Sequence, residues 1–296
     1  MDSCEGTVIK NQNGYFSVFT GGDRPHLYLA RSRGRLKRDA PVLVGDRVVV
    51  RPVNEEEAVI EKILPRQNEL SRPPVANLDR IVLVASVKDP ETDLFLFDKM
   101  IAMAEAAGIS PVICISKTDL DPETGKRLSA LYRRAGYPCF CSSSVNGDGA
   151  GAARQMAEPG VTAFSGASGT GKSTLLNRLL GTDRFEAQAV SRKTGRGRNT
   201  TRHAELVPLD AETLVMDTPG YTALSAGGLL PSEAGLLFRE FSPYLGQCRF
   251  SDCLHESEPG CAVRKACESG AVAVSRYRSY LHLLHELKDF QLRRYD

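Results

Sequence analysis

The sequence predicts three consecutive domains: a small β-barrel, an α/β domain with a parallel sheet, and a helical domain rich in cysteine. Three observations support this division. Short runs of β-branched and aromatic residues fill the first 68 residues, strands alternate with helices between residues 80 and 217, and a cysteine cluster follows at 248–261. A chain of 296 residues has room for more than one domain. The expected boundaries are 1–68, 69–228 and 229–296.

The N-terminal domain is predicted from five strand-like segments, GTVIK, GYFSVF, HLYLA, DRVVV and AVIEKIL, which are separated by turn-forming residues. Five short strands in about 65 residues suit a small barrel, most simply of the OB type. The basic stretch RSRGRLKR at 31–38 would form one of its loops. With a second basic stretch at 191–202, it favours a nucleic-acid surface; a barrel without a ligand is the alternative.

The α/β domain is predicted to follow a linker, LPRQNELSRPP at 64–74, whose prolines and polar residues disfavour helix and sheet. Beyond it, apolar runs predict strands and longer periodic segments predict helices. The strands are expected at 80–86, 111–116, 161–165 and 212–217, and the helices at 94–108 and 122–136. This alternation indicates a parallel sheet covered on both faces. Helical patterns return around the cysteine cluster, in SEAGLLFREF and in the long amphipathic segment from residue 271.

The clearest motif is GASGTGKS, which begins at Gly166 and satisfies G-x-x-x-x-G-K-[ST]. It lies between a predicted strand and a predicted helix. Its glycines allow backbone N–H groups to face phosphate oxygens, and the helix N-terminus adds positive charge. Lys172 is expected to reach the β- and γ-phosphates, and Ser173 to bind Mg²⁺. The segment expected to contact the nucleotide is Gly166, Ala167, Ser168, Gly169, Thr170, Gly171, Lys172, Ser173 and Thr174.

DTPG at 217–220 ends the last predicted strand of this domain. Its position downstream of the phosphate loop makes it a second nucleotide motif. Asp217 is expected to hold magnesium through water, and the Gly220 N–H to contact the γ-phosphate.

Two loops are expected to read the base. SKTD at 116–119 follows a predicted strand, and the Asp119 carboxylate can accept two hydrogen bonds from guanine, a pair that adenine does not offer. The Lys117 stem would cover one face of the base. CSSS at 141–144 follows the next predicted helix, where a second base-contacting loop is expected; a polar surface turn is the alternative.

The order of these motifs is unusual, because the base loops precede the phosphate loop. With RPPVANLDR, SKTD, GASGTGKS, GRGRNTT, DTPG and the C-terminal cysteine cluster, the order resembles the circularly permuted GTPases, and specifically the ribosome small-subunit-dependent GTPase A family (RsgA/YjeQ). The resemblance spans nearly the whole chain. Permutation leaves the spatial site unchanged when the original termini lie close together and the new termini fall in exposed loops.

The resemblance implies a fold and an activity: a P-loop NTPase-like G domain, circularly permuted, with an N-terminal OB-type β-barrel and a C-terminal α-helical zinc-binding domain, that hydrolyses GTP to GDP with Mg²⁺. The base-binding residues expected are Ser116, Lys117, Thr118, Asp119, Ser142 and Ser143. The catalytic residues expected are Lys172, Thr200, Thr201, Asp217 and Gly220, with Ser173 and Asp217 at the magnesium ion.

The sequence departs from the family pattern at two positions, and from many other GTPases at a third. Ser116 stands where the N-K-x-D motif has asparagine, so a contact to the base or to the phosphate loop is at risk, while Asp119 keeps the guanine preference. Asn199 stands where the family usually has a histidine that helps hydrolysis, and His203 is a weaker candidate for that role. Tyr221 follows DTPG, where many GTPases have a water-orienting glutamine. We therefore expect slow intrinsic hydrolysis that a ribosomal partner accelerates.

The C-terminal cluster predicts a structural zinc site. Cys248, Cys253, His255 and Cys261 have the spacing C-x₄-C-x-H-x₅-C, and three thiolates with one imidazole form a closed tetrahedral set for one Zn²⁺. No position remains open for catalysis. Four of the chain's eight cysteines lie between 248 and 267, which in a cytosolic chain favours metal over disulfides. Cys267 is expected to pack rather than to bind.

The remaining features narrow the class of protein. No apolar run is long enough to cross a bilayer, and the N-terminus lacks a signal-peptide pattern, so we expect a cytoplasmic protein. The net charge is +2. With the resemblance, these features indicate the small ribosomal subunit and its rRNA as partners, no DNA, no membrane, and a monomer. Two other readings stay open: a nucleotide-regulated rRNA-binding module with vestigial GTPase activity, and an ATP-dependent P-loop enzyme.

Overall fold

A computed structural model of the chain describes residues 2–32, 41–71, 73–143, 145, 149–157, 159–183, 185, 204–218 and 228–293. Most of the first basic stretch and all of the second therefore lie outside the described residues.

The N-terminal part is a closed five-stranded barrel, as predicted. Its strands are β1 (Cys4–Gln12), β2 (Tyr15–Thr20), β3 (His26–Ser32), β4 (Arg47–Pro52) and β5 (Glu57–Ile63). They pair in the order β1-β2-β3-β5-β4, and the β3–β5 pair is parallel while the others are antiparallel. Alternate residues point inward, so that Val18, Val48 and Ile60 are fully buried in the barrel core.

The predicted linker at 64–74 contains a hairpin, so the prediction that this segment avoids sheet is wrong. Strand β6 (Glu69–Ser71) pairs antiparallel with β7 (Pro74–Ala76). Leu70 and Val75 face each other across the pair and are buried in the core of the α/β domain. Burial of these two side chains offsets the poor intrinsic strand preference of the surrounding residues.

The hairpin is also the junction between the barrel and the sheet. The Ala76 N–H donates to the Val44 carbonyl at 2.9 Å, and the Asn77 side-chain amide donates to the Gly45 carbonyl at 3.0 Å. Gly45 has φ +88°, and a Cβ there would lie 1.9 Å from the Ala76 carbonyl oxygen. Only glycine allows this approach of the two backbones.

The central part is the predicted α/β domain. Its strands are β8 (Arg80–Ser86), β9 (Ser110–Ser116), β10 (Cys139–Cys141), β11 (Gly160–Gly166), β12 (Val207–Pro208) and β13 (Thr213–Asp217). Its helices are α1 (Leu94–Ala106), α2 (Pro122–Arg134), α3 (Ala150–Ala157) and α4 (Lys172–Leu180). The six strands lie in the order β10-β9-β8-β11-β13-β12, and only the β12–β13 pair is antiparallel.

Both faces of this sheet are covered. Alternate residues of β8 enter two different cores: Leu83 packs with Phe97 of α1 on one face, and Val84 packs with Leu176 of α4 on the other. The continuous apolar run of β8 is therefore explained by burial on both sides.

The C-terminal part has two 3₁₀ segments, Pro231–Leu237 and Arg239–Tyr244, followed by α5 (Ala262–Glu268) and α6 (Val274–Arg293). The long helix was predicted, but the α-helix expected in SEAGLLFREF is 3₁₀. Gly235 lies in the first of these segments, and a Cβ there would lie 3.3 Å from the His255 ring. None of the described helices has both the length and the apolarity needed to cross a membrane.

Candidate functional site

Four predicted motifs meet at one edge of the sheet. The described residues of SKTD, CSSS, GASGTGKS and DTPG lie at the carboxyl ends of β9, β10, β11 and β13. Because these strands run parallel, their carboxyl ends share one edge, which is the usual ligand edge of an open α/β sheet. Motifs that are far apart in sequence are thereby gathered into one site.

The phosphate loop has the backbone that its glycines predict. Gly169 and Gly171 have φ +81° and +87°, a region that favours glycine. Helix α4 begins at Lys172, so its N-terminus faces the loop. The Lys172 ammonium is paired with the Asp217 carboxylate at the end of β13. The cation and the carboxylate expected at the phosphates and the magnesium ion are therefore already neighbours.

Ser116 joins the first base loop to the phosphate loop. Its hydroxyl lies 2.6 Å from the Thr170 carbonyl oxygen and 3.2 Å from the Ala85 carbonyl oxygen, and its single proton can serve one of them at a time. Of the two contacts that this serine puts at risk, the one to the phosphate loop is present, since Ser116 reaches that loop in spite of its short side chain.

Asp119 has the property of a group that awaits a ligand. Its Oδ1 is buried and has no hydrogen-bond partner in the described part of the chain. A buried carboxylate oxygen without a donor is costly, and a base that brings two N–H groups would relieve that cost. The neighbouring Lys117 has φ +56°, and its ammonium donates to the Asp89 carbonyl.

The second base loop is buried and tied to both other loops. Ser142 and Ser143 are 7% and 3% exposed, so the alternative of an exposed polar turn is wrong for these two residues. The Ser142 carbonyl accepts from the Thr118 N–H and hydroxyl, each at 3.3 Å. The Ser143 carbonyl accepts from Arg178 Nη1 of α4 at 3.0 Å. Arg178 was not among the predicted residues, since an arginine in a last helical turn has no distinguishing sequence signal.

Several expected residues lie outside the described residues: Thr200, Thr201 and Gly220 of the catalytic set, and Asn199, His203 and Tyr221. Their predicted roles stay predictions. The described end of β13 is firmly placed, because the Thr218 N–H and hydroxyl both lie 2.9 Å from the Phe164 carbonyl oxygen.

The C-terminal cysteines and histidine converge as a metal site requires. One ligand atom from each of Cys248, Cys253, His255 and Cys261 lies within 4.8 Å of the other three. His255 Nδ1 is 3.4 Å from the sulfurs of Cys248 and Cys261, which are 4.0 Å apart. Bond lengths of about 2.3 Å for Zn–S and 2.0 Å for Zn–N give tetrahedral edges of about 3.5–3.8 Å. The donor set therefore fits zinc.

The surroundings of the cluster suit thiolates and a neutral imidazole. Backbone N–H groups of His255, Ala262 and Arg264 point at the cluster sulfurs at 3.4 Å. Burial lowers the pKa of His255, which favours the neutral ring that a metal needs. Cys267 packs against the surrounding core, as expected.

The permuted order of motifs around one sheet edge defines the chain as a circularly permuted P-loop GTPase, an enzyme that hydrolyses GTP. Its residues 63–226 match the family described as RsgA GTPase, and residues 5–60 match the RsgA N-terminal domain. The chain belongs to the RsgA GTPase family.

The chain aligns with relatives and with solved structures over nearly its whole length. It is 40% identical to the small ribosomal subunit biogenesis GTPase RsgA of Caldanaerobacter subterraneus subsp. tengcongensis, covering 100% of this chain and 99% of that protein. It is 39% identical to the protein of that name from Shouchella clausii, covering 98% and 99%. The crystal structure of YjeQ from Thermotoga maritima matches with a TM-score of 0.83 at 33% identity, covering 97% and 99%. YloQ, described as a circularly permuted GTPase, matches with a TM-score of 0.82 at 32% identity, covering 97% and 96%. The predicted fold class is confirmed.

Proposed function

We propose that this chain binds the small ribosomal subunit and hydrolyses GTP to GDP and phosphate during late maturation of that subunit, and that the subunit stimulates hydrolysis. The partner is inferred from relatives that bear the name small ribosomal subunit biogenesis GTPase and align over nearly the whole chain. The observation that carries the guanine site is the Oδ1 of Asp119, which lies in the loop after β9 and is buried without a hydrogen-bond partner among the residues that the structure describes.

Asp119 would read the ring N–H and the exocyclic amine of guanine. Adenine lacks this donor pair, so its binding would leave the carboxylate desolvated and unpaired. Asp119→Asn is expected to weaken GTP binding about 100-fold, since hydrogen bonds to a charged group contribute roughly 1.5–3 kcal/mol each. The same change should favour xanthosine triphosphate, because the asparagine amide can donate to the carbonyl that replaces the amine.

The control for this test is Asp121→Asn, two residues away. Asp121 Oδ1 accepts from the Thr124 N–H and caps α2, and asparagine caps equally well. Titration with fluorescent GTP and XTP measures both preferences. An Asp119→Asn protein that still prefers GTP would refute the base-reading role. ATP that competes as well as GTP would favour the ATP-dependent alternative.

The phosphates would lie between the glycine loop and the end of β13. The Lys172 ammonium would leave Asp217 for the β- and γ-phosphates, and Asp217 with the Ser173 hydroxyl would then hold Mg²⁺. Thr200 or Thr201 would complete the magnesium shell, and Gly220 would contact the γ-phosphate. Water attacks the γ-phosphorus, and the bond to the β,γ-bridging oxygen breaks. We infer slow turnover by the free protein, because Asn199 stands where the family usually has a histidine and Tyr221 stands where many GTPases have a water-orienting glutamine.

Steady-state and single-turnover GTP hydrolysis with and without purified small subunits tests the proposal. We expect the subunit to raise turnover at least about tenfold, which is below the roughly 10³- to 10⁵-fold that a completing arginine supplies in other GTPases. Lys172→Ala should remove the stimulated rate. Equal rates with and without subunits would reject stimulation, and absence of hydrolysis in a single turnover on the subunit would favour the module with vestigial activity.

The barrel offers a surface that suits unpaired rRNA bases. Arg31 lies over the Tyr15 ring, with its Cζ 4.5 Å from the centroid, and donates to the Tyr15 hydroxyl at 2.6 Å. Leu27 and Leu29 on the adjacent strand are 54% and 46% exposed. Bases stack on aromatic rings and guanidinium planes, and strands 2 and 3 form the oligonucleotide face of many OB-folds.

Binding to a single-stranded RNA tests this surface. Tyr15→Ala is expected to weaken RNA binding about 5- to 100-fold, since stacking contributes roughly 1–3 kcal/mol per base. Val53→Ala is the matched control, because Val53 is 57% exposed on the same barrel but lies beyond the end of β4. Equal RNA affinity of the two variants would contradict the assignment.

We also infer the location of the protein, its oligomeric state, its nucleic-acid partner, its metal content and its domain boundaries. It would act as a cytoplasmic monomer, contact rRNA rather than DNA, and carry one structural Zn²⁺ in its C-terminal domain. The proposed domains are 1–68, 69–228 and 229–296. The zinc domain would add phosphate contacts to the rRNA.

A further inference from the structure

His255 is the nitrogen donor of the C-terminal cluster, and its backbone has an unfavourable conformation. Its φ of +57° lies in the left-handed region, which is costly for a residue with a Cβ and persists only where the surrounding structure enforces it. In this conformation its Nδ1 lies 3.4 Å from the sulfurs of both Cys248 and Cys261. The groups that hold residues 253–258, which we call the metal loop, therefore control the geometry of the cluster.

Glu258 binds the metal loop from within. Its Oε1 accepts from the Leu254 N–H at 2.7 Å, and its Oε2 accepts from the N–H groups of Glu256 and Ser257 at 2.8 and 3.0 Å. Leu254 and Glu256 are the two chain neighbours of His255, so one carboxylate binds the backbone on both sides of the nitrogen donor. Hydrogen bonds to a charged acceptor are about twice as strong as bonds between neutral groups.

Two tyrosines of α6 bind the carbonyl groups of the same loop. The Tyr280 hydroxyl donates to the Leu254 carbonyl. The Tyr277 hydroxyl donates to the His255 carbonyl at 2.7 Å. Because the metal loop belongs to no helix or strand, these side-chain contacts replace the backbone pairing that would otherwise fix it. Glu258 supplies the acceptors in this arrangement, and the tyrosines supply the donors.

Glu258 can act on the metal site without touching the metal. The donors that converge are the three cysteine sulfurs and Nδ1 of His255, while both oxygens of Glu258 accept from backbone N–H groups. We propose that Glu258 is a positioning residue of the metal site: by binding the N–H groups on either side of His255, it holds that residue in the left-handed conformation that brings Nδ1 to the sulfurs. The inference rests on the proposed zinc site.

The neighbouring Glu256 has the same side chain but different contacts. Its carboxylate pairs with Lys288 and His285 of α6 in a partly exposed ion-pair cluster. Ion pairs near the surface contribute little to stability. Glu256→Ala is therefore the matched control for Glu258, since it removes a carboxylate from the same loop, two residues away.

The zinc affinity of the full-length chain, measured by competition with a chromophoric chelator, tests the inference. Glu258→Ala is expected to weaken Zn²⁺ binding about 10- to 100-fold, as loss of a group that orients a metal ligand typically does. Glu256→Ala should change it by no more than about threefold. Glu258→Gln keeps a carbonyl oxygen as an acceptor and should recover part of the affinity, and it replaces the alanine variant if that protein does not fold.

Cobalt reports on the ligands themselves. Co²⁺ binds in sites made of thiolates and imidazole, absorbs visible light there, and shows charge-transfer bands from its thiolate ligands. These charge-transfer bands should persist in Glu258→Ala, because the three cysteines are unchanged. The visible bands should shift towards those of His255→Ala, because Glu258 positions the nitrogen ligand. Glu256→Ala should give the parent spectrum.

The outcomes separate this inference from the zinc site beneath it. Parental zinc affinity in Glu258→Ala would overturn the inference. Weaker affinity with an unchanged cobalt spectrum would overturn it as well, since that result would show only general stabilisation of the domain. A changed spectrum in Glu258→Ala with a parental spectrum in His255→Ala would make Glu258 the fourth ligand instead. A parent chain that binds neither Zn²⁺ nor Co²⁺ would refute the zinc site itself.

Discussion

Replacing Arg276 by methionine should release α6 from the α/β domain. Arg276 is 1% exposed, and its guanidinium donates to Asp98 of α1 at 2.7 Å and to Glu240 at 2.6 Å. It also lies 4.7 Å from the centre of the Phe238 ring and 5.6 Å from that of Tyr137. One buried cation therefore holds together three segments of the chain.

The size of the effect follows from what the variant leaves behind. Both carboxylates stay buried, with side-chain exposures of 2% for Asp98 and 6% for Glu240. Removing one partner of a buried ion pair costs about 3–5 kcal/mol, because the remaining charge is uncompensated. At about 1.4 kcal/mol per factor of ten, hydrogen-exchange protection of the α6 amides should fall about 10²- to 4 × 10³-fold.

The loss should depend on pH in a defined direction. Burial raises the pKa of Asp98 even beside Arg276, and without the guanidinium that pKa rises further. A carboxyl group with a raised folded-state pKa destabilises the fold above its unfolded pKa and ceases to do so when it is protonated. The deficit of the variant should therefore be largest near pH 8 and shrink as the pH falls towards 5.

Hydrogen exchange followed by mass spectrometry measures this deficit. Arg278→Met removes the same charge from an exposed position of the same helix and should change protection by less than about 0.5 kcal/mol. Asp98→Asn, which keeps the acceptor for the Tyr132 hydroxyl at 3.0 Å, should cost less than Arg276→Met. Protection of α6 within fivefold of the parent in Arg276→Met would refute the reasoning.

Three further predictions concern metal, thiols and a glycine. Undenatured protein should hold one Zn²⁺, measured by elemental analysis, and Cys261→Ser should lose it together with the protection of α6; a metal-free parent would sink the assignment. Burial raises the pKa of Cys114 to about 12 and that of Cys139 to about 11, so both are protonated thiols at pH 8. Because the thiolate is the reactive form, both should be alkylated slowly in the folded protein, and rapid alkylation of either would contradict the structure. Gly45→Ala should cost more than about 3 kcal/mol, because a Cβ would meet the carbonyl oxygen of the facing strand β7 at 1.9 Å. Gly14 has φ +85° and open space around it, so Gly14→Ala should lower the free energy of unfolding by only about 1–2 kcal/mol in thermal unfolding. Equal losses for Gly14→Ala and Gly45→Ala would contradict the close contact between Gly45 and β7.

Strands and long helices were predictable where one local pattern dominates. The barrel strands alternate inward and outward residues, and β8 is apolar throughout because it is covered on both faces. The β6–β7 hairpin was missed because its stability comes from outside the segment. The Leu70 and Val75 side chains pack into a core built by β8 and α1, which the local sequence does not reveal.

The residues of the candidate site also fall into two groups, those that local sequence predicts and those that it does not. Lys172 and Asp119 could be predicted as site residues because phosphate and guanine chemistry requires certain residue types at fixed short spacings. Arg178 and Arg276 were missed because each acts on a partner that is distant in sequence, 35 residues away for Ser143 and 178 for Asp98. From the local sequence, an arginine on a helix is expected to be an exposed charge. Only its tertiary contacts show that it binds a distant segment of the chain.

The amino-acid sequence by itself determined the domain types, the family, the nucleotide motifs and the four residues of a cluster that could hold a metal ion, because each depends on local periodicity or short spacing. The tertiary structure decided which groups share a space. It brought Ser116 to Thr170 across the permuted order, left one oxygen of Asp119 buried and without a partner among the described residues, and enclosed Arg276 between two carboxylates. These properties arise from burial and from contacts between distant segments, which exist only once the chain has folded.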